Sequence, residues 1–168
     1  MLPLLSAGAH LPRCACLLSA ADLPRLRARQ NVGYAEMAAA VSNAGGLGTI
    51  SALTQGTAEN LRAEIQKYHN LAPGKPFAVN FTILPAMVTP NYQEIVQGPI
   101  DEGVTIIQTA GRSPDSIPLA DGRNLMQMLK DANMIVIHKC MSVRHALTAQ
   151  RIGVDCISLG GFEYGGHM

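Results

Sequence analysis

Residues 134–159 read MIVIHKCMSVRHALTAQRIGVDCISL, and this stretch decides the fold class. Its first seven residues, MIVIHKC, form a short apolar run rich in β-branched side chains, the composition of a strand buried on both faces. Ser142 stands where an N-cap is wanted, and residues 143–152 follow as a helix that Gly153 stops. Residues 154–159, VDCISL, are then a second buried strand. Two strands joined through a helix pair in parallel, because a parallel pair needs a long crossover.

Working outward toward the N-terminus, the same unit recurs about every thirty residues. Residues 124–132 carry a helical pattern, and residues 104–110, VTIIQTA, form a third apolar run expected to be a fully buried strand. Before it lies an amphipathic stretch through Tyr92, Ile95 and Val96 that contains Pro99, after a loop bearing Pro85 and Pro90. Residues 77–84 read as a strand. Gly74-Lys75-Pro76 breaks the preceding helix, whose stripe is Leu61, Ile65 and Tyr68 and whose N-cap is Thr57. Residues 47–53, LGTISAL, give the first strand. Met37, Ala40, Val41 and Ala44 recur with helical spacing before Gly45-Gly46 ends their helix. The whole predicts an α/β protein of about five parallel strands covered by helices. A doubly wound sheet and a (β/α)8 barrel both satisfy this periodicity.

Composition narrows the function classes. The 168 residues carry 13 Lys and Arg against 12 Asp and Glu, a net charge of +1, too balanced to grip a nucleic-acid backbone. Aromatics are 4% of residues with no Trp, so base-stacking platforms and membrane aromatic belts lack material. Cys14, Cys16, Cys140 and Cys156 include no pair at the two-residue spacing of a zinc or redox loop, so no metal site is expected. Cys140 and Cys156 end or interrupt apolar runs and are expected as small buried hydrophobes in a reducing compartment. Residues 1–30 differ, holding Arg13, Arg25, Arg27 and Arg29 against the single acid Asp22. They read either as a transit peptide or as an unrelated, disordered leader, giving a mitochondrial or a cytoplasmic location. The apolar stretch 14–21 is too short to span a bilayer.

Polar residues inside apolar strands point to chemistry, because a buried polar group without a partner costs about 1–3 kcal/mol. Asn80 and Thr82 are two apart and share one face near the end of their strand, and Lys139 closes the Ile135, Ile137 alternation at the end of another. Ligands bind at the carboxyl ends of strands in barrels and open sheets alike. Gly46-Leu47-Gly48 is not a nucleotide loop, because it lies between helix and strand in the wrong order for a dinucleotide fingerprint. After the last strand, residues 160–166 hold four glycines, where backbone can approach a ligand, and His167 follows as a candidate acid, base or clamp. His69, His138 and His145 are assigned to packing or surface.

Four segments together, GYAEMAAAVSNAGGLGTISALTQ, KPFAVNFTILP, IHKCMSVRHALTAQRIGVD and ISLGGFEYGGH, resemble the nitronate monooxygenase and NADH:quinone reductase group of flavoproteins. They cover nearly all of residues 31–167 in the family's order and spacing. The resemblance implies a (β/α)8 TIM barrel binding FMN, with residues 31–168 as its domain. Carried over by position, Asn80 and Thr82 lie at the cofactor, Lys139 is its cationic contact, Gly165 offers it backbone, and His167 is the active-site histidine. The implied reaction is oxidation of alkyl nitronates with oxygen, or NAD(P)H:quinone reduction on the same fold. NADH or NADPH is the possible reductant, and a nitronate or a quinone the small-molecule substrate. Two departures stand beside the match. Relatives open with a P-I-x-Q-G-x-M strand where this chain has ADLPRLRARQ at residues 21–30, and the chain stops at Met168, short of the later strands that close a barrel. An incomplete barrel is therefore expected, one that does not by itself hold FMN, in which residues 1–30 add no strand because Arg25, Arg27 and Arg29 would share one buried face. An inactive fragment acting through a partner at its open edges is a further reading.

Overall fold

The computed structural model describes residues 33–83 and 91–160. Strands β1 (Gly48–Ser51), β2 (Phe77–Ile83), β3 (Ile106–Gly111), β4 (Ile135–Cys140) and β5 (Cys156–Leu159) alternate with helices. Among the described residues the helices are α1 (Ala35–Asn43), α2 (Ala52–Gln55), α3 (Ala58–Leu71), α4 (Tyr92–Asp101), α5 (Leu125–Asp131) and α6 (Val143–Arg151), with a 3-10 turn at Pro114–Ser116. Leu84, Pro85, Pro90, Gly165, His167 and the arginine-bearing residues 1–30 lie outside the described residues, and so do the expectations that fall on them.

The five strands lie in chain order, and every neighbouring pair is parallel. A doubly wound sheet must reverse its strand order once. These strands never do, so the winding is single, as along one arc of a (β/α) barrel. The alternative that periodicity left open is thereby removed.

Local chemistry explains where the helices start and stop. The Thr57 hydroxyl accepts from the Asn60 N–H at 3.2 Å, and Ser142 accepts from His145 at 3.3 Å, each pairing an orphan donor of a first turn. Asn124 and Gln127 cap each other reciprocally at 2.9 Å at the start of α5. At the end of α1, Gly46 N–H reaches Val41 O at 3.0 Å and Gly45 N–H reaches Ser42 O at 3.1 Å. The same bond pair closes α4, α5 and α6 and hands each chain into the next strand. At α5 the left-handed position is held by Asn133, at φ 55°. Pro99 does not stop α4, which runs two residues further with Pro99 buried in its last turn.

Strand register sorts side chains onto two faces. Ile50, Val79, Ile107 and Val136 are aligned across β1 to β4 and fully buried. With Phe77, Phe81 and Ile83 they meet Leu61, Ile65, Tyr68, Val96, Leu125 and Leu129 from the helices in one core. Every residue within a strand that joins this core comes from that one face, leaving the opposite face for other work.

Two expectations need correcting. The stripe Met37, Ala40, Val41, Ala44 is not the buried face of α1; Ala35, Ala38, Ala39 and Ser42 are. Small side chains win because the helix lies hard against β1, where a Cβ on Gly48 would collide with the Ala38 carbonyl oxygen. Nor is the last strand buried. Ile157 is 40% and Leu159 61% exposed, and Cys156 is exposed while Cys140 is buried. β5 is the end strand and pairs only with β4 among the described residues, so apolar composition alone did not secure its burial.

Candidate functional site

The face turned away from the helical core is polar toward the carboxyl ends of the strands. Ser51, Asn80, Gln108, Ile137 and Cys156 align in one row across the five strands. One step on, Thr82 pairs in register with Ala110 and Lys139 with Ser158. Because Thr109 pairs with His138, Ala110 and Lys139 are neighbours in that next row. Thr82 and Lys139 therefore share a face two strands apart, about 10 Å at ordinary strand spacing. Asn80, Thr82, Gln108, Lys139 and Ser158 are all half-buried, whereas the opposite face at the same height is largely closed.

Within the site the polar groups are linked. The Thr82 hydroxyl donates to Asn80 Oδ1 at 3.1 Å. Asn80 Nδ2 in turn lies 3.4 Å from Gln108 O and 3.5 Å from Gln108 Oε1. Burial holds the Lys139 amine below its ordinary pKa, since desolvation penalises the charged form. Just beyond β3, at the carboxyl end of the sheet, Ser113 Oγ is buried with no hydrogen-bond partner among the described residues. Arg112, exposed in the same turn, lies close enough to oppose the upward push that burial exerts on the Tyr92 hydroxyl.

Of the residues singled out from sequence, the structure brings Asn80, Thr82 and Lys139 to one face of the sheet, while Gly165 and His167 lie outside the described residues. Gln108 was missed. Its signal was present, a long polar side chain in the middle of IIQTA, but it was absorbed into an apolar run. His138 is on the opposite face, buried, with Nδ1 2.8 Å from Thr109 Oγ1, as suits a packing residue. His145 is in α6 and His69 in the last turn of α3, both exposed. Among the described residues no group of three or more His, Cys, Asp or Glu could hold a metal, and no helix is long and apolar enough to cross a membrane.

A partly exposed amine and a linked pair of amides with one hydroxyl on one face of the sheet suit a polar, anionic, planar ligand lying across the strand ends. Comparison with known proteins bears on the fold and the family. The family model described as nitronate monooxygenase matches residues 30–168. A (3aS,4S,5R,7aS)-5-hydroxy-7a-methyl-1-oxo-octahydro-1H-indene-4-carboxyl-CoA dehydrogenase of Mycobacterium tuberculosis is 32% identical over 136 residues, which are 81% of this chain and 34% of that protein. The structure of FabK from Thermotoga maritima is 29% identical with a TM-score of 0.60, over 74% of this chain and 36% of FabK. A nitroalkane oxidase from Streptomyces ansochromogenes, 20% identical, shares the fold with a TM-score of 0.68 over 86% of this chain and 47% of its own. The chain spans about a third of the length of the curated relatives it matches.

Proposed function

We propose, since the chain belongs to the nitronate monooxygenase family, that it contributes to an FMN-dependent oxidoreductase whose substrate is an alkyl nitronate. The observation that carries this reading is the shared face of Asn80, Thr82 and Lys139 at the carboxyl ends of a singly wound parallel sheet. When bound, FMN would supply hydride or electron acceptance and pass the reducing equivalents to oxygen. The protein's part is placement. Lys139 would offset the negative charge of phosphate or reduced ring, and a partly desolvated amine does so more strongly than one in water. Asn80 and Thr82 would fix the orientation of the bound ring. Gly165 would offer backbone to it, and His167, by its position in the family pattern, would hold the nitro oxygens or take the carbon-bound proton.

A second reading has its own observation. The curated relatives at 32% and 31% identity are named as dehydrogenases of a ring-bearing carboxyl-CoA, so oxidation of an acyl-CoA-type substrate on the same flavin competes with nitronate chemistry. Quinone reduction by NADH or NADPH is the third option on this fold.

The cofactor reading is tested by titrating FMN into the chain joined to a family-type first strand and the later strands of a family relative, following quenching of flavin fluorescence. Saturable binding, weakened about tenfold or more in Lys139→Met, supports it, since a charge-assisted contact contributes roughly 1.5–3 kcal/mol. Absence of saturation at millimolar FMN, or an unchanged affinity in Lys139→Met, overturns it. Oxygen uptake with a nitronate, set against reduction of a dye by an acyl-CoA, then separates the first two substrate classes.

A further inference from the structure

We infer that Gln108 is a positioning residue that commits the Thr82 hydroxyl to face a ligand as a hydrogen-bond acceptor, an inference that rests on reading this face as the cofactor site. The deduction starts from a group that cannot change its role. The backbone carbonyl of Gln108 can only accept, and it lies 3.4 Å from the Asn80 carboxamide. The Asn80 atom facing it is therefore the amide nitrogen. The other end of that carboxamide is then oxygen, also acceptor only, and it lies 3.1 Å from Thr82 Oγ1. Thr82 must donate. A hydroxyl has one proton, so Thr82 has only lone pairs left to offer.

The Gln108 side chain adds to this arrangement. Its Oε1 approaches the same Asn80 nitrogen at 3.5 Å, giving that nitrogen two acceptors on β3. Both contacts are long, and together they oppose turning the amide over, which would set oxygen against the fixed carbonyl. The parallel register makes this possible, because Asn80 and Gln108 are direct Cα partners and project to the same face. Gln108 thus reaches the ligand only through Asn80 and Thr82. The strand end selects for a donor, an N–H or O–H on the bound molecule. On an oxidised flavin ring the donor is the N3–H, so the pyrimidine edge is the edge that fits.

The test begins without any ligand. In the isotope-labelled 168-residue chain at low temperature, the Thr82 hydroxyl proton is expected to exchange slowly enough to be seen by NMR, correlated with the Asn80 side chain. Gln108→Leu, which leaves only the backbone carbonyl to hold the Asn80 amide, should speed exchange of that proton several-fold and raise the dissociation constant for FMN about twofold to fivefold, whereas Gln108→Glu, which keeps an acceptor at the same reach, should retain the protected hydroxyl. Gln108→Met, which removes the same side-chain acceptor while keeping the length of the side chain, should behave as Gln108→Leu does, and serves if Gln108→Leu fails to fold. A purely structural Gln108 would shift the unfolding midpoint and leave the hydroxyl proton alone. A Thr82 hydroxyl exchanging at the solvent rate in the wild-type chain, or one exchanging no faster in Gln108→Leu, overturns the inference. A protected hydroxyl with no FMN binding would instead sink the cofactor reading and leave the orientation standing.

Discussion

Replacing His138 by Gln separates a structural histidine from a functional one. His138 is buried in β4 on the helix-facing side, with Nδ1 2.8 Å from the Thr109 hydroxyl. Burial is the main force holding its imidazole below the usual pKa, the nearby His145 adds to it, and Asp115 opposes it. As pH falls, the unfolded chain therefore takes up this proton before the folded chain does. Stability is fully present above the unfolded value of about 6.5 and is lost below it, with a slope of at most about 1.4 kcal/mol per pH unit, until the folded value is reached. Gln keeps an amide for Thr109 and does not titrate. Between pH 7.5 and 5.5 the wild-type chain should lose on the order of 1 kcal/mol more than His138→Gln. Urea unfolding followed by circular dichroism reads this as a relative midpoint shift of about 0.5–1 M for an ordinary slope. Parallel pH profiles for the two proteins would refute the assignment of His138 to a neutral, desolvated packing role.

Other positions test how the site is held in place. Gly48→Ala, whose methyl would meet the Ala38 carbonyl oxygen, should cost about 1–3 kcal/mol by prising α1 from β1, measured by urea unfolding. A cost below about 0.5 kcal/mol would mean that this approach is not tight. Asn124→Ala removes one half of the reciprocal cap on α5 and should cost about 1 kcal/mol in the same assay, with Asn124→Asp close to neutral.

Much of this architecture was legible because it depends on neighbours in sequence. The caps at Thr57 and Ser142 and the stripe Leu61, Ile65, Tyr68 follow from groups within a turn of each other. The face of α1 was not legible. That helix has alanine on several sides, and contact with β1 and α3 selects Ala35, Ala38, Ala39 and Ser42 over the bulkier Met37 and Val41. The exposure of β5 likewise depends on what lies beside it, which a period of two cannot report. At the site, Asn80, Thr82 and Lys139 betrayed themselves as polar residues at strand ends. Gln108 sits in the same row as Asn80 but inside an apolar run, between Ile107 and Thr109, and only the register of β2 against β3 brings the two together. The choice between single and double winding also rests on strand order, a long-range property that no local pattern encodes.

The most direct test of the account is to map where FMN touches the sheet, by adding it to the chain joined to a family-type first strand and a relative's later strands, with residues 31–168 labelled, and following backbone and side-chain NMR shifts. The account predicts changes at Asn80, Thr82, Gln108, Lys139 and Ser158, with Val79, Ile107, Val136 and His138 on the opposite face unmoved. Shifts confined to the helical side, or none at saturating FMN, would contradict it.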